Sequence, residues 1–417
     1  MRNSSFWWII ITIMVLVDIY AFFAIRSLLH DSSPKARTIF TVGYWSVSIF
    51  ALVVLLLLPY FQFQPQNNII RSTIFAIVFA LFFAKLLATL FFLVDDARRG
   101  VQWMAGKLFS INNEVSEVSG SDGQGISRSH FLTWLGIAAG GGIFSTFVFG
   151  LSNKYNYQVK RIKIAFENLP AAFKGLKIVH ISDIHSGSFT NKPAVNKGID
   201  KILNEKPDVI LFTGDLVNNQ SNEMNNYIDI FSRLKAPMGV YSTLGNHDYG
   251  DYFTWKTIDE KRANLERIKA IHKELGWRLM LDEHLPLQKE KATIGLIGVQ
   301  NISGRGNFHS YGSISKAMDG AEYPFKILMS HDPSHWDKEV LTTYKDIDLT
   351  LSGHTHGMQF GVELPGFRWS PVKYVYHRWA GLYEEAHQKL YVNRGFGFIG
   401  YPGRVGIMPE ITVIELA

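Results

Sequence analysis

The first third of this chain holds four apolar stretches long enough to cross a lipid bilayer, and nothing else in the sequence restricts the fold as strongly. A hydrocarbon core takes ~20 residues of helix. Residues 6–25, 43–61, 69–94 and 131–151 each reach about that length. In lipid every backbone polar group has to be bonded within the segment, so these stretches are expected as helices. The fourth is milder because of Ala138, Ala139, Gly140, Gly141 and Gly142, and small residues there predict close helix packing. A cleavable signal peptide fits poorly, since the first span is too long and no small-x-small site follows it. Residues 1–151 are therefore read as a transmembrane region, with residues 95–130 as a linker whose stretch from Ser110 to Gly125 is rich in Ser, Asn, Glu and Gly.

Orientation follows from the cations beside the spans. Loops one and three carry Arg26, Lys35, Arg37, Arg98, Arg99, Lys107 and Arg128, whereas the N-terminus and loop two have only Arg2 and Arg71. This bias places loops one and three in the cytoplasm, and an even number of spans then puts both termini outside. Lys154, Lys160, Arg161 and Lys163 after the fourth span oppose that orientation mildly, but long domains translocate largely regardless of charge. A multi-pass cell-membrane protein with an extracytoplasmic domain is the expectation. Asp18 and Lys85 lie inside spans that run in the same direction and at similar depth, so they are placed to pair.

Charge excludes one class of partner. Of 42 Lys/Arg and 36 Asp/Glu, ten and seven fall within residues 1–151. The remaining thirty-two and twenty-nine leave each part at +3. Neither part has a basic run that would track a phosphate backbone, so no nucleic acid is expected. The absence of cysteine removes disulfides, thiolate nucleophiles and Cys-based zinc sites.

Residues 152–417 change pattern. Short apolar runs at 176–182, 208–213, 238–244, 292–299, 324–330, 347–352, 389–393 and 411–415 read as strands, and the earlier ones alternate with polar helical stretches at 193–206, 222–234 and 255–275. This alternation predicts a layered α/β domain, with a second sheet packed on the first where helices thin out.

Five segments end in metal-ligand or acid/base residues just after predicted strands. They are Asp183-Ile184-His185, Gly214-Asp215, Gly245-Asn246-His247-Asp248, Ser330-His331-Asp332-Pro333 and Gly353-His354-Thr355-His356-Gly357. The C-terminal ends of strands are where α/β sheets build sites. In extended backbone i and i+2 share a side, so Asp183/His185 and His354/His356 can each present two ligands. Glycines 214, 245, 353 and 357 allow tight turns and close backbone approach. Carboxylate, imidazole and amide suit hard or borderline divalent ions. Gly395 to Gly400 matches Gly-x-Gly-x-x-Gly, but Tyr401-Pro402-Gly403 follows where a helix should begin, so it is rejected as a nucleotide site.

These five motifs, in this order, resemble the calcineurin-like metallophosphoesterases, and the tail Arg394-Gly-Phe-Gly … Pro402-Gly-Arg404 … Pro409-Glu-Ile-Thr resembles their bacterial membrane-associated phosphodiesterase branch. The resemblance runs from about Leu176 to the C-terminus. It implies a four-layer α-β-β-α domain and a dinuclear metal centre. One ion would be held by Asp183, His185 and His356, the other by Asn246, His331 and His354, with Asp215 bridging. His247 would be the catalytic histidine, with Asp248 beside it to orient the imidazole. Two divalent ions (Mn, Fe, Zn, Co or Mg) ~3.5–4 Å apart would generate hydroxide for in-line attack on phosphorus, and His247 would protonate the leaving alkoxide.

The expected function is thus a membrane-anchored phosphohydrolase, partnered by the bilayer and a phosphoester substrate. Tyr252, Phe253 and Trp255, and the run Phe367, Arg368, Trp369, Tyr374, Tyr376, His377, Arg378 and Trp379, suit phosphate headgroups at a membrane interface and point to a phospholipid or other envelope substrate. Packing of the domain by the same aromatics is the competing reading. Two alternatives stay open: a cytoplasm-facing pyrophosphatase resembling the UDP-diacylglucosamine hydrolases of lipid A synthesis, and a non-catalytic metal-binding membrane sensor or transporter.

Overall fold

The computed structural model of the chain describes residues 5–57, 68–108, 128–306 and 308–417, which divide into two compact units, Met1–Phe149 and Gly150–Ala417.

In the first unit, α1 (Ser5–Ser27), α2 (Pro34–Leu57), α3 (Asn68–Leu108) and α4 (Arg128–Gly150) are the helices, and all four are long and apolar enough to cross a membrane. Two boundaries differ from expectation. α2 starts at Pro34, whose fixed φ and missing N–H suit a first helical position, so Lys35 and Arg37 are helical. α3 has 41 residues, ~60 Å at 1.5 Å per residue, and so takes in the first part of the expected linker. Asp95 and Asp96 continue it by pairing with Arg98 and Arg99 one turn on (Arg98–Asp95 2.8 Å). The Ser110–Gly125 stretch lies outside the described residues.

Small residues do bring helices together, but not the whole run. A Cβ on Gly140 would stand 2.6 Å from the Ala84 carbonyl oxygen, and one on Gly136 would stand 2.8 Å from Phe92, whereas Gly141 and Gly142 meet nothing within 4 Å among the described residues. Gly136 and Gly140 are four apart and form the stripe by which α4 approaches α3. Asp18 and Lys85 meet as expected: Lys85 Nζ is 2.5 Å from Asp18 Oδ1 and 2.7 Å from Ser48 Oγ, and Tyr44 OH donates to the Asp18 carbonyl at 2.8 Å.

The second unit is built on two six-stranded sheets. Its strands are β1 (Gln158–Ile164), β2 (Lys177–Ile181), β3 (Val209–Phe212), β4 (Val240–Ser242), β5 (Arg278–Leu279), β6 (Glu283–Lys289), β7 (Ala292–Gly298), β8 (Lys326–Met329), β9 (Leu349–Ser352), β10 (Val362–Leu364), β11 (Phe367–Trp369), β12 (Gly381–Glu385), β13 (Gln388–Val392) and β14 (Glu410–Leu416). The first sheet has the order β1-β14-β2-β3-β4-β5 and the second β12-β13-β9-β8-β7-β6, while β10 and β11 form a separate hairpin. Parallel pairing runs from β2 through β5 and from β7 through β9 to β13, with antiparallel steps at β14/β2, β6/β7 and β12/β13.

Alternation along the strands makes the layers. Leu296, Ile327, Leu349 and Leu351 of the second sheet share one core with Ile178, Val209, Leu211 and Ile414 of the first. Their neighbours Ile297 and Leu328 point the other way, into a core with Trp336 and Val340 under α8 (Ile314–Met318). On the outer face of the first sheet lie α5 (Lys192–Asn204), α6 (Ile228–Phe231) and α7 (Ile258–Glu274), and Phe212 turns outward to His272 and Trp277. α5 and α7 begin where side chains cap them, Asn191 accepting from Ala194 N (3.0 Å) and Thr257 from Glu260 N (3.1 Å). The helix expected over 222–234 is only α6 and a short turn at Ser221–Met224, because Glu223 folds back to accept the amides of Asn218, Asn219 and Gln220 at 2.6–3.2 Å. β1 escapes the apolar pattern because it is an edge strand, with Lys160, Arg161 and Lys163 paired to Glu363, Glu205 and Glu415.

Candidate metal centre

Both sheets deliver their chemistry at the same end. Asp183 and His185 follow β2, Asp215 follows β3, and Asn246 and His247 follow β4; His331 follows β8, and His354 and His356 follow β9. The structure brings these side chains together in two groups, Asp183/His185/His356 and Asp215/His331/His354, in each of which the ligand atoms lie within 4.8 Å of one another. Asn246 Oδ1 joins the second group, 3.1 Å from His331 Nε2 and 2.8 Å from His354 Nδ1. Asp215 Oδ2 stands between the groups, 3.2 Å from His331 Nε2 and 3.5 Å from His185 Nε2.

The local backbone is not the extended one expected from i, i+2 spacing. Asp183, His185, Asp215, His354 and His356 all have positive φ, from 48° to 69°. Left-handed turns immediately after the strand ends aim successive side chains into one small volume, and strain of this kind persists only where the surroundings over-determine it. Two glycines make room: a Cβ on Gly245 would sit 2.2 Å from Asp215 Oδ1, and one on Gly353 would sit 2.3 Å from Asp183 Oδ2. Gly395, the first glycine of the rejected nucleotide pattern, packs against the same groups, its Cβ position lying 2.9 Å from His356 Nδ1.

Hydrogen bonds fix which nitrogens are free. A carbonyl only accepts, so His331 Nδ1 donates to Thr213 O at 2.7 Å and leaves Nε2 for a ligand role. His354 turns Nδ1 inward and Nε2 to Tyr376 OH at 2.8 Å. His247, half-buried, donates from Nδ1 to Asn218 O at 2.8 Å, and its ring packs 4.9 Å from that of His185 and 4.5 Å from that of Tyr252.

Asp248 corrects the sequence reading. Its carboxylate does not reach the imidazole of His247. Both oxygens are taken by backbone amides, those of Asp215 (2.9 Å), Leu216 (2.8 Å), Val217 (3.3 Å) and Gly245 (2.9 Å). It ties the β3 and β4 turns together, and Asn218 orients His247. Asn218 lies outside every motif, and its backbone carbonyl carries no residue-type signal. Arg404 was visible in the tail motif without a role. It is fully buried, donating to the carbonyls of His356 (3.2 Å), Arg394 (2.8 Å) and Gly395 (3.3 Å).

Electrostatics suit cations. Burial pushes His185 down to about 3, His354 down to about 4, and His356 well below the usual range, so these imidazoles stay neutral, the form that ligates. Burial raises Asp183 to about 6. For Asp215 burial acts upward, but His331 and His247 outweigh it and hold the carboxyl well below the usual range. For His331 burial acts downward, yet Asp215 overrides it and takes the imidazole up to about 10, so a cation bound there would displace the Nε2 proton. His185 Nε2 and His356 Nε2 are buried without a well-formed hydrogen bond among the described residues, facing only Asp215 Oδ2 at 3.5 Å and Asp183 Oδ1 at 3.3 Å. Such orphans cost about 1–3 kcal/mol each unless something binds them. Nitrogen and oxygen donors without sulfur therefore fit divalent cations at both groups.

Comparisons with known proteins agree with this geometry. Residues 1–154 match a family described as probable calcineurin-like phosphoesterase, transmembrane domain, and residues 176–358 match calcineurin-like phosphoesterase. A metallophosphoesterase of Bacillus subtilis (strain 168), YkuE, is 31% identical over 60% of this chain and 81% of its own length. A Danio rerio transmembrane protein with metallophosphoesterase domain is 30% identical over 64% of this chain, which spans only 60% of that relative. The Escherichia coli (strain K12) phosphodiesterase YaeI is 27% identical over 62% of this chain and 88% of its own length. The chain belongs to the calcineurin-like metallophosphoesterases, a family that uses divalent metals, and carries its domain behind a four-helix membrane region.

Proposed function

We propose that this protein is a membrane-anchored phosphohydrolase that uses two divalent ions, with its domain outside the cytoplasm and a phosphodiester of a lipid or other envelope component as substrate. The observation that carries the reading is Asp215 Oδ2, within 3.5 Å of histidine nitrogens belonging to both ligand groups. Asp183, His185 and His356 would hold one ion, and Asn246, His331 and His354 the other, with Asp215 shared. Ions bound there supply charge neutralisation of the phosphoryl oxygens and lower the pKa of water to near neutrality.

The chain's own residues do the rest. Asp183 and Asp215 bring two negative charges against four positive ones, so the loaded site attracts an anion. His247, pinned through Nδ1 by Asn218, keeps Nε2 as its second proton site and delivers that proton to the leaving oxygen, a role worth ~10²–10⁴-fold. Asp248 acts at a distance, by holding the turn from which Asp215 projects.

The lipid part of the reading is supported by the β10–β11 hairpin and the segment after it. Leu364, Phe367 and Tyr374 are 61%, 56% and 74% exposed, with Met358 and Val375 also open to solvent. Trp379 and Tyr376, by contrast, pack into a small core with Val372 and Ile407. The aromatic run thus divides between packing and display. Apolar side chains displayed beside Lys373 and Arg368 suit a bilayer surface.

The test is turnover of bis(p-nitrophenyl) phosphate and of a phospholipid panel by the manganese-loaded full chain, with His247→Ala and Asp215→Asn alongside. Expected is loss of 10²-fold or more in His247→Ala with two ions retained, and loss of metal together with activity in Asp215→Asn. Metal-independent turnover, or none in the wild type, would overturn the reading.

A further inference from the structure

We infer that a recess beside the second ligand group is an anion subsite, so that a substrate presenting its scissile phosphorus to the metal centre places a second phosphate or carboxylate against Arg305 and Lys338. The inference rests on the hydrolase reading and deepens it, since it names a property of the substrate.

The recess measures about 380 Å³ and is lined by Arg305, Lys338, His377, Arg378, Asp337 and Tyr376, among others. That volume is near the low end for small-molecule sites, ~300–1,000 Å³, and suits a compact polar group. The charges lining it are not equivalent. Arg378 is spent, bonded to Asp337 at 2.9 Å and to Glu385 at 2.8 Å and laid over the Trp336 ring. Asp337, the only carboxylate among the described residues that line the recess, is turned to Arg378, which it shares with Glu385.

Arg305 and Lys338 are different. Arg305 donates from Nη1 to the Val375 carbonyl and lies 5.0 Å from the centre of the Tyr376 ring. Lys338 Nζ makes one contact, to the Ser303 carbonyl at 3.3 Å. Neither has a carboxylate within ion-pair distance among the described residues. Each bond to a carbonyl uses one donor of a group that has five or three. Two cations thus face one recess with donors to spare and no ion pair of their own among the described residues, and His377 is exposed at its edge. A guanidinium on an aromatic face is pre-organised for bidentate recognition of phosphate or carboxylate.

The recess is wired to the metal centre rather than merely near it. Tyr376 forms part of its wall and donates or accepts at 2.8 Å with Nε2 of His354. Ser334, also in the wall, lies three residues beyond His331, and both its amide and its hydroxyl bond Asp332 Oδ1 (2.8 and 2.7 Å). The Tyr376 side chain and the His354 ring stand between the recess and the second ligand group, the span that a substrate with two anionic groups would have to bridge. Ordinary solvated surface cations favour the more anionic substrate only weakly and through a salt-screened field, so a large effect of one lysine makes the alternatives separable.

The experiment compares two soluble substrates with the same leaving group, thymidine 5′-(p-nitrophenyl phosphate) and its 3′-phosphorylated counterpart, using the full chain loaded with Mn²⁺. The wild type is expected to favour the doubly charged substrate in kcat/KM. Lys338→Ala, which touches neither Tyr376 nor a metal ligand, should reduce that preference about tenfold, through KM, and Lys338→Arg should restore it. Arg305→Ala should reduce it further, with metal content unchanged. Equal effects on both substrates, or no preference in the wild type, would overturn the subsite. Binding of thymidine 3′,5′-bisphosphate, followed by calorimetry, is the readout that does not depend on turnover: weaker binding by Lys338→Ala supports the subsite even if hydrolysis fails, and equal binding refutes it. Vesicles in which phosphatidylglycerol is exchanged for phosphatidylglycerol phosphate tell the sources apart. A Lys338-dependent gain there identifies a lipid headgroup as the second anion; a gain confined to the soluble pair identifies a soluble phosphoester.

Discussion

Asp248 and His247 are adjacent in one motif and have separate duties. A carboxylate with both oxygens taken by four backbone amides is a brace, and hydrogen bonds to a charged acceptor are worth about 1.5–3 kcal/mol each. Asp248→Asn replaces one acceptor oxygen with an NH₂ that faces amide donors. The expected result is a loss of roughly 2–3 kcal/mol in unfolding free energy together with reduced metal content, because Asp215 is held by the same turn. Chemical denaturation and elemental analysis check the two parts, and unchanged stability would contradict the brace. That the ligands belong together was legible from residue types at the ends of strands. That Asn218 aims His247 was not, since the donor and acceptor involved are a ring nitrogen and a main-chain carbonyl 29 residues apart.

Among the elements, α7 carries a pH-dependent liability. His272 is fully buried between Phe212 and Trp277, with neither ring nitrogen bonded among the described residues, and burial pushes it down to about 3. The unfolded chain takes up this proton near pH 6.5, whereas the folded form does not until about pH 3. Stability associated with His272 is therefore present above pH 6.5 and lost as pH falls towards 3, at about 1.4 kcal/mol per unit. His272→Phe should flatten the fall in denaturation midpoint between pH 6.5 and 4 while leaving stability at pH 7 unchanged or raised. An identical acid slope in the variant would sink this account. In the membrane unit, α1, α2 and α3 meet at Asp18, Ser48 and Lys85. Removing one charge strands the other, at a cost of about 3–5 kcal/mol, whereas replacing both is far milder. Lys85→Met is thus expected to unfold in detergent at lower temperature than the Asp18→Asn/Lys85→Met pair, and the reverse order would show that the pair does not hold these helices.

At the level of the whole molecule, the outward placement of residues 150–417 is the proposal with the plainest test. The chain has no cysteine, so a single one introduced at exposed Lys174 reports the side of the membrane. Labelling by a membrane-impermeant maleimide in intact cells is expected, and labelling only after lysis would reverse the topology and favour a cytoplasmic substrate. The chain's amino acids alone determined the membrane helices, because hydrocarbon tolerates no unbonded backbone, and the sandwich of sheets, because period-two apolar runs have to bury a face. They also marked out the candidate metal donors, since few residue types can bind a hard or borderline cation. The charged edge strand β1, the helical extension of α3, the two duties of Asn218 and Asp248, and the pair of cations at the recess were decided only by tertiary structure. Each depends on a partner distant in the chain, and a local pattern carries no record of which distant atom will be close.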